Sequence, residues 1–218
     1  MEDAAVLVVV AFDIETLGLM VDGAPLPEIT CVCLFDGVEE TALRLWGLSP
    51  VERDANVARI IARLDAADTL VGYNAVAFDL EFMRRAFAID DARVRAWHAK
   101  CIDPLVLLRL ATRTTAKMQH MLELNGLGSK TASGGDAIQM AREGAWDRLL
   151  AYCMMDARLV YALVRERTWL RLTAGGLEVC IDCSGRAAPR FRVVVTAEAS
   201  SLPPPPITME MALPEIAL

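Results

Sequence analysis

Two acids close an apolar run near the start of the chain: in VLVVVAFDIETLG, residues 6–18, Asp13 and Glu15 follow a succession of valines. Residues two apart on a strand project from one face, so both carboxylates share a side while Phe12 and Ile14 take the other. Two such charges repel and lose solvation at the end of a buried strand, a cost that a cation would offset. The alternative is that the strand has already ended and both acids sit in water. Asp79 follows Asn74 and Phe78 in VGYNAVAFDLEFM. It falls at a helix start, where the dipole favours an acid, and also near the carboxyl end of a central strand, where open α/β sheets place their sites. Asp156, in LLAYCMMDARLVYAL, comes one helical turn after Tyr152 and borders an apolar stripe of Leu149, Cys153, Val160 and Leu163. A carboxylate there is at least partly buried and needs a partner, either a cation or an arginine such as Arg158 or Arg109. An acidic pocket holding divalent cations presents positive charge to a phosphate.

The elements around these acids follow from pattern. Residues 5–15, 28–35 and 39–46 read as strands, the last two separated by the turn dipeptide Asp36-Gly37, which predicts a three-strand antiparallel meander. Ser49, Pro50 and Glu52 form a capping box ahead of Val57, Ile60, Ile61 and Leu64, so a helix is expected over 50–67. A fourth strand at 69–74 leads into a helix over 79–89. A short strand from 101 breaks at Pro104 into a helix, because the residue before a proline avoids helical geometry. A short helix and a Gly/Ser-rich loop precede the last long helix, 146–168. The expected fold is α/β: a mixed five-stranded sheet with helices on both faces. From 177 the texture changes to two β-rich runs around Ser184-Gly185, read as a hairpin. The ending SLPPPPITMEMALPEIAL reads as a proline-rich tail or docking segment that does not pack as a regular element. The expected division is a domain over 1–175 and a hairpin with tail over 176–218.

At 218 residues, 55% of them hydrophobic, the chain buries one sizeable core. The start MEDAAVLVVV lacks a basic n-region, and its apolar stretch stops at Asp13, short of the roughly 20 residues of a membrane span. The expectation is a soluble, cytoplasmic protein with no membrane association, its six cysteines held as free thiols. A net charge of −7 argues against a protein that coats long nucleic acid, but not against a short footprint at a metal-loaded site. Cys180 and Cys183 have zinc-knuckle spacing, yet their possible partners, Cys31 and Cys33 with His98 and His120, lie on other predicted elements, so they read as hairpin thiols.

The segments FDIET (Asp13, Glu15), NAVAFD (Asn74, Phe78, Asp79) and YCMMD (Tyr152, Asp156), taken in order, resemble the three motifs of the DEDD superfamily of 3′-to-5′ exonucleases. The tyrosine four residues before the last aspartate resembles the DEDDy branch, which includes the proofreading domains of family A and B DNA polymerases and ribonuclease D. The stretch from Gly126 to Leu163 is similar to stand-alone bacterial and viral relatives of the family B domains. The resemblance spans about residues 6–168 and implies a ribonuclease H-like fold.

It also implies a chemistry: two Mg²⁺ or Mn²⁺ ions on four carboxylates, clamping the attacking and leaving oxygens of an in-line displacement at phosphorus. Asp13, Glu15 and Asp156 would hold the tighter ion, Asp13 would bridge, and Asp79 would act through the second. Tyr152 would orient the attacking water, since a phenol that titrates near ~10 is a poor base at neutral pH. Thr16, Leu17, Asn74 and Phe78 would contact the substrate, and Lys130 could reach a phosphate. Leu17 has packing, Asn74 loop capping and Lys130 plain solvation as alternatives. Asp103 could support the site from behind or cap the following helix. The implied activity is release of nucleoside monophosphates from single-stranded 3′ ends, with DNA favoured over RNA by the polymerase likeness. The alternatives are a ribonuclease D-like exoribonuclease and a non-catalytic adaptor that docks on a replication partner through its tail.

Overall fold

The computed structural model describes residues 7–128, 133–165, 169–174, 177–182, 190–195 and 207–210. Contacts divide the chain into two units, residues 1–103 with 130–161 and residues 104–129 with 162–218. The first unit is built on strands Val9–Thr16 (β1), Ile29–Phe35 (β2), Glu40–Arg44 (β3), Thr69–Val71 (β4) and Cys101–Ile102 (β5). Helices run over Pro50–Ala66 (α1), Asp79–Ala86 (α2), Asp91–Ala99 (α3), Pro104–Thr112 (α4), Met118–Leu124 (α5), Gly134–Arg142 (α6) and Trp146–Arg165 (α7).

The sheet order is β3-β2-β1-β4-β5, with β1, β2 and β3 antiparallel and β1, β4 and β5 parallel. The expected mixed five-stranded sheet with a leading meander is therefore present. Its two faces read directly from residue alternation. Phe12, Ile14, Val32 and Leu34 pack with Ile60 and Leu64 of α1, Leu80, Phe82 and Met83 of α2, and Trp97 of α3. On the opposite face Cys31 and Cys33 pack with Ala137, Met140 and Ala141 of α6 and with Leu149, Tyr152 and Cys153 of α7. Helices cover both faces, and the acids on β1 belong to the α7 side.

Local signals produce the connections. The β2–β3 turn closes on Asp36, whose Oδ1 accepts the Val38 and Glu39 amides at 3.0 and 2.7 Å. Gly37 takes φ +96°, and a Cβ there would lie 2.3 Å from the Tyr161 hydroxyl, so glycine is required on both counts. The capping box at α1 forms as expected, Ser49 and Glu52 each accepting from the other's amide. The helix expected over 79–89 ends at Ala86. Ala88 sits at φ 52°, and Asp90 then caps a new helix, α3, by accepting the Arg93 amide at 2.9 Å. Helix α6, within a stretch read as loop, starts from a second capping box, Ser133 with Asp136.

In the second unit, strands Trp169–Ala174 (β6), Leu177–Asp182 (β7), Arg190–Val195 (β8) and Ile207–Glu210 (β9) form an antiparallel sheet in that order. The expected hairpin is β7 with β8; Cys183, Ser184 and Gly185 lie outside the described residues. Two neighbours flank it. β6 pairs with β7 across the expected boundary at residue 176. The ending, read as unable to pack as a regular element, contributes β9 directly after Pro203–Pro206. Four residues without N–H groups bar a strand across themselves, but not an edge strand beginning at Ile207. Among the described residues no helix is long and apolar enough to cross a membrane.

Candidate active site

β1 pairs with β2 in the register Asp13 opposite Cys33 and Glu15 opposite Cys31. This places both carboxylates on the α7 face, at the strand's carboxyl end, where a bulge between Glu15 and Thr16 ends the regular ladder. α7 runs across that face and delivers Asp156 one turn after Tyr152. Carboxylate oxygens of Asp13, Glu15 and Asp156 all lie within 4.8 Å of one another. Glu15 and Asp156 are buried, at 9% and 2% exposure, and Asp13 is half-buried; β1 continues to Thr16, so the alternative in which the strand ends early and leaves Asp13 and Glu15 in water does not describe them. Arg158, one of the arginines expected as a partner for Asp156, forms an ion pair with Glu40.

Asp79 reaches the same strand from the other flank. β4 stops pairing with β1 at Val71 opposite Ala11. Beyond it, Asp79 at the start of α2 is 5% exposed, and its Oδ1 accepts the Ile14 amide, between Asp13 and Glu15, at 3.2 Å. Tyr152, 5% exposed, donates its hydroxyl proton to Asp156. Burial first, then the charges of Asp156, Glu15 and Asp13, push the phenol well above its ordinary value, so in the metal-free chain it is a neutral hydrogen-bond donor at neutral pH.

The predicted substrate-contacting residues divide. Leu17 packs, half-buried, against the cluster containing Tyr152 and Cys153, and its amide donates to Glu28 O at 2.9 Å. Thr16 donates its hydroxyl to Gly18 O at 2.6 Å, which tightens the exit from β1. Asn74 adopts φ 62° in the β4–α2 turn. Phe78 is half-buried on the other core face, its ring 5.3 Å from that of Phe82. Lys130 lies outside the described residues.

One feature escaped sequence reasoning. Behind the acids lies a thiol layer: Cys153 donates to the Asp13 carbonyl at 3.3 Å and Cys33 to the Leu150 carbonyl at 3.6 Å, joining β1 and β2 to α7. Burial, then the neighbouring Cys31 and Cys33, hold the Cys153 thiol well above its ordinary value. The alternation of Cys31 and Cys33 on a strand was the available signal. Asp103, which the sequence offers as a support for the site or a cap of the following helix, finds its partners in the β4–α2 turn.

An all-oxygen set of three carboxylates, two buried and Asp13 half-buried, suits a hard divalent cation and not a soft one. Asp13, Glu15 and Asp156 are placed to hold such an ion, with Asp79 adjacent.

The search of curated protein sequences finds no match. Among solved structures, the chain is similar to the family B DNA polymerase from the hyperthermophilic archaeon Pyrobaculum calidifontis, with TM-score 0.53 and 16% identity over 72% of this chain. It spans 24% of that polymerase. It is also similar to the Aedes aegypti Nibbler EXO domain, with TM-score 0.50 and 13% identity, covering 71% of this chain and 74% of that one. A family model described as RNase_H superfamily matches residues 10–168, the span holding all four acids and the tyrosine, and the chain belongs to that superfamily.

Proposed function

We propose that the protein is a metal-dependent 3′-to-5′ exonuclease that hydrolyses the terminal phosphodiester bond of single-stranded DNA and releases nucleoside 5′-monophosphates. The observation that carries this is the convergence of Asp13, Glu15 and Asp156 within 4.8 Å, with Asp79 bonded to the backbone between the first two. Bound divalent ions, Mg²⁺ or Mn²⁺, would supply charge stabilisation for the attacking and leaving oxygens. Asp13, Glu15 and Asp156 would hold one ion, and Asp79, with Asp13, would serve a second. Tyr152, kept neutral, orients the attacking water. Thr16 and Leu17 at the exit of β1 bear on the terminal nucleotide, Asn74 and Phe78 on the strand behind it, and Lys130 on a phosphate. Water adds to phosphorus, the bond to the 3′ oxygen of the penultimate nucleotide breaks, and that oxygen leaves as a hydroxyl.

The test is end-labelled single-stranded DNA and RNA incubated with the protein or Asp13→Ala, in Mg²⁺, Mn²⁺ or EDTA. Metal-dependent shortening of DNA from the 3′ end that is lost in the variant is expected. No shortening, or equal shortening by the variant, overturns the reading; preference for RNA replaces the substrate with an exoribonuclease's.

A further inference from the structure

Asp103 ends β5 and is 2% exposed. Both its oxygens reach across to the turn that joins β4 to α2: Oδ1 accepts the Asn74 amide at 2.9 Å and Oδ2 the Val76 amide at 3.1 Å. Hydrogen bonds to an ionised carboxylate are short and strong, and two of them from one turn fix its orientation as well as its position. The turn is tightly built. Gly72 donates to Ile102 O at 3.2 Å, pinning the exit of β4 to the strand that carries Asp103. A Cβ on Gly72 would lie 2.3 Å from that of Ala75. From the clamped residues the chain passes straight to the helix: the Phe78 amide donates to Asn74 O at 3.0 Å and the Leu80 amide to Ala75 O at 2.9 Å. Asp79 lies between those two donors, with its carboxylate on the Ile14 amide.

We propose that Asp103 is a positioning residue: its buried carboxylate clamps the β4–α2 turn, and through that turn sets Asp79 against the strand carrying Asp13 and Glu15 and holds Asn74 in its left-handed conformation. The proposal rests on the exonuclease reading for its catalytic consequence, but the clamp itself is a property of the metal-free chain. Asp103→Asn preserves the shape, yet turns one oxygen into an NH₂ that faces a backbone N–H, so one of the two bonds is lost.

Three readouts test it on the full chain. Amide exchange at Asn74 and Val76, measured without metal, is faster in Asp103→Asn, while exchange in α1 is unchanged. Mn²⁺ binding followed by calorimetry weakens by about 10- to 100-fold, the usual effect of removing a group that orients a ligand. Under saturating Mn²⁺, kcat remains lower than in the parent. Asp65→Ala, which removes the 2.8 Å acceptor of Trp97 on the sheet face opposite the acids, is the control for destabilisation alone and retains Mn²⁺ affinity and kcat. If Asp103→Asn does not fold, Asp103→Ser, which keeps one acceptor, is measured instead. Unchanged exchange at Asn74 and Val76, or Mn²⁺ affinity within twofold of the parent, overturns the proposal. An inactive parent with faster variant exchange leaves the clamp standing and overturns the exonuclease reading instead.

Discussion

Replacing Asp156 with asparagine separates a carboxylate cage built for cations from one that merely happens to be acidic. Two unit charges 4.8 Å apart, the widest separation within the trio, repel by about 3 kcal/mol at an effective dielectric constant near 20. Asp156 takes part in two such pairs. Small displacements and the partial solvation of Asp13 relieve most of that repulsion in the metal-free chain, leaving about 2 kcal/mol to be recovered by Asp156→Asn. The asparagine retains an oxygen to accept the Tyr152 hydroxyl, and its new NH₂ has the neighbouring carboxylates of Asp13 and Glu15 as acceptors, so no donor left unsatisfied offsets the gain. For a chain of this size the expected rise in Tm is roughly 4–8 °C without metal. With Mn²⁺ the order reverses. At about 100 times its dissociation constant a ligand that binds only the folded state adds about 2.7 kcal/mol to the parent, which is roughly 5–11 °C, and the variant gains little of this. Differential scanning calorimetry with EDTA and with Mn²⁺ measures all four values. A variant that melts below the parent in EDTA, or gains as much from Mn²⁺ as the parent does, refutes the reasoning.

Three further outcomes are expected. Tyr152→Phe lowers kcat about 10- to 100-fold, the worth of one hydrogen bond to a charged group. Because burial and the surrounding carboxylates raise the phenol in the metal-free chain, absorbance titrations of the metal-free parent and variant are expected to show the same phenolate signal near pH ~10. Gly37→Ala places a Cβ against Tyr161 at positive φ, costs roughly 1–3 kcal/mol and lowers Tm in thermal melts. His98, whose two ring nitrogens are buried without a hydrogen-bond partner among the described residues, is pushed below its ordinary value by burial, partly offset by Glu81. The unfolded chain therefore binds the proton more readily, so the neutral ring's stability is fully present above pH ~6.5 and declines as pH falls through that value. Denaturant titrations of His98→Leu across pH 5 to 7 are expected to show a flatter profile than the parent.

How much was legible from residues alone depended on how local each cause was. The period-two pattern of β1 with its same-face acids, the Asp36-Gly37 turn, and Ser49 with Glu52 all act within a few residues, and the structure has all three. Helix α3 was missed because its buried residues are Val94 and Trp97 alone, too sparse to read as a stripe. Helix α6 hid behind Gly134 and Gly135, although Ser133 with Asp136 repeats the box read correctly at α1. Of the strands beside the C-terminal hairpin, β6 lies between the expected end of the last helix at 168 and the hairpin, and β9 follows four prolines, so neither stood out in the sequence. At the site, residue type and order brought out the acids and Tyr152. The partners of Asp103 could not be read in the same way, because they are backbone amides donated from a turn on a different strand. No side-chain pattern records where a main-chain N–H will point.

The cage draws on widely separated parts of the chain: Asp13 and Glu15 on the first strand, Asp79 on the second helix and Asp156 on the seventh. During synthesis the strand acids leave the ribosome well before the helix that completes their set. Early collapse can bury the apolar face of β1, but it cannot assemble the oxygens. Closing the long loops between these elements is slow relative to local helix formation. High-affinity uptake of a divalent ion is therefore expected to follow the docking of α7, so that metal binding marks the completion of folding and does not guide its first steps.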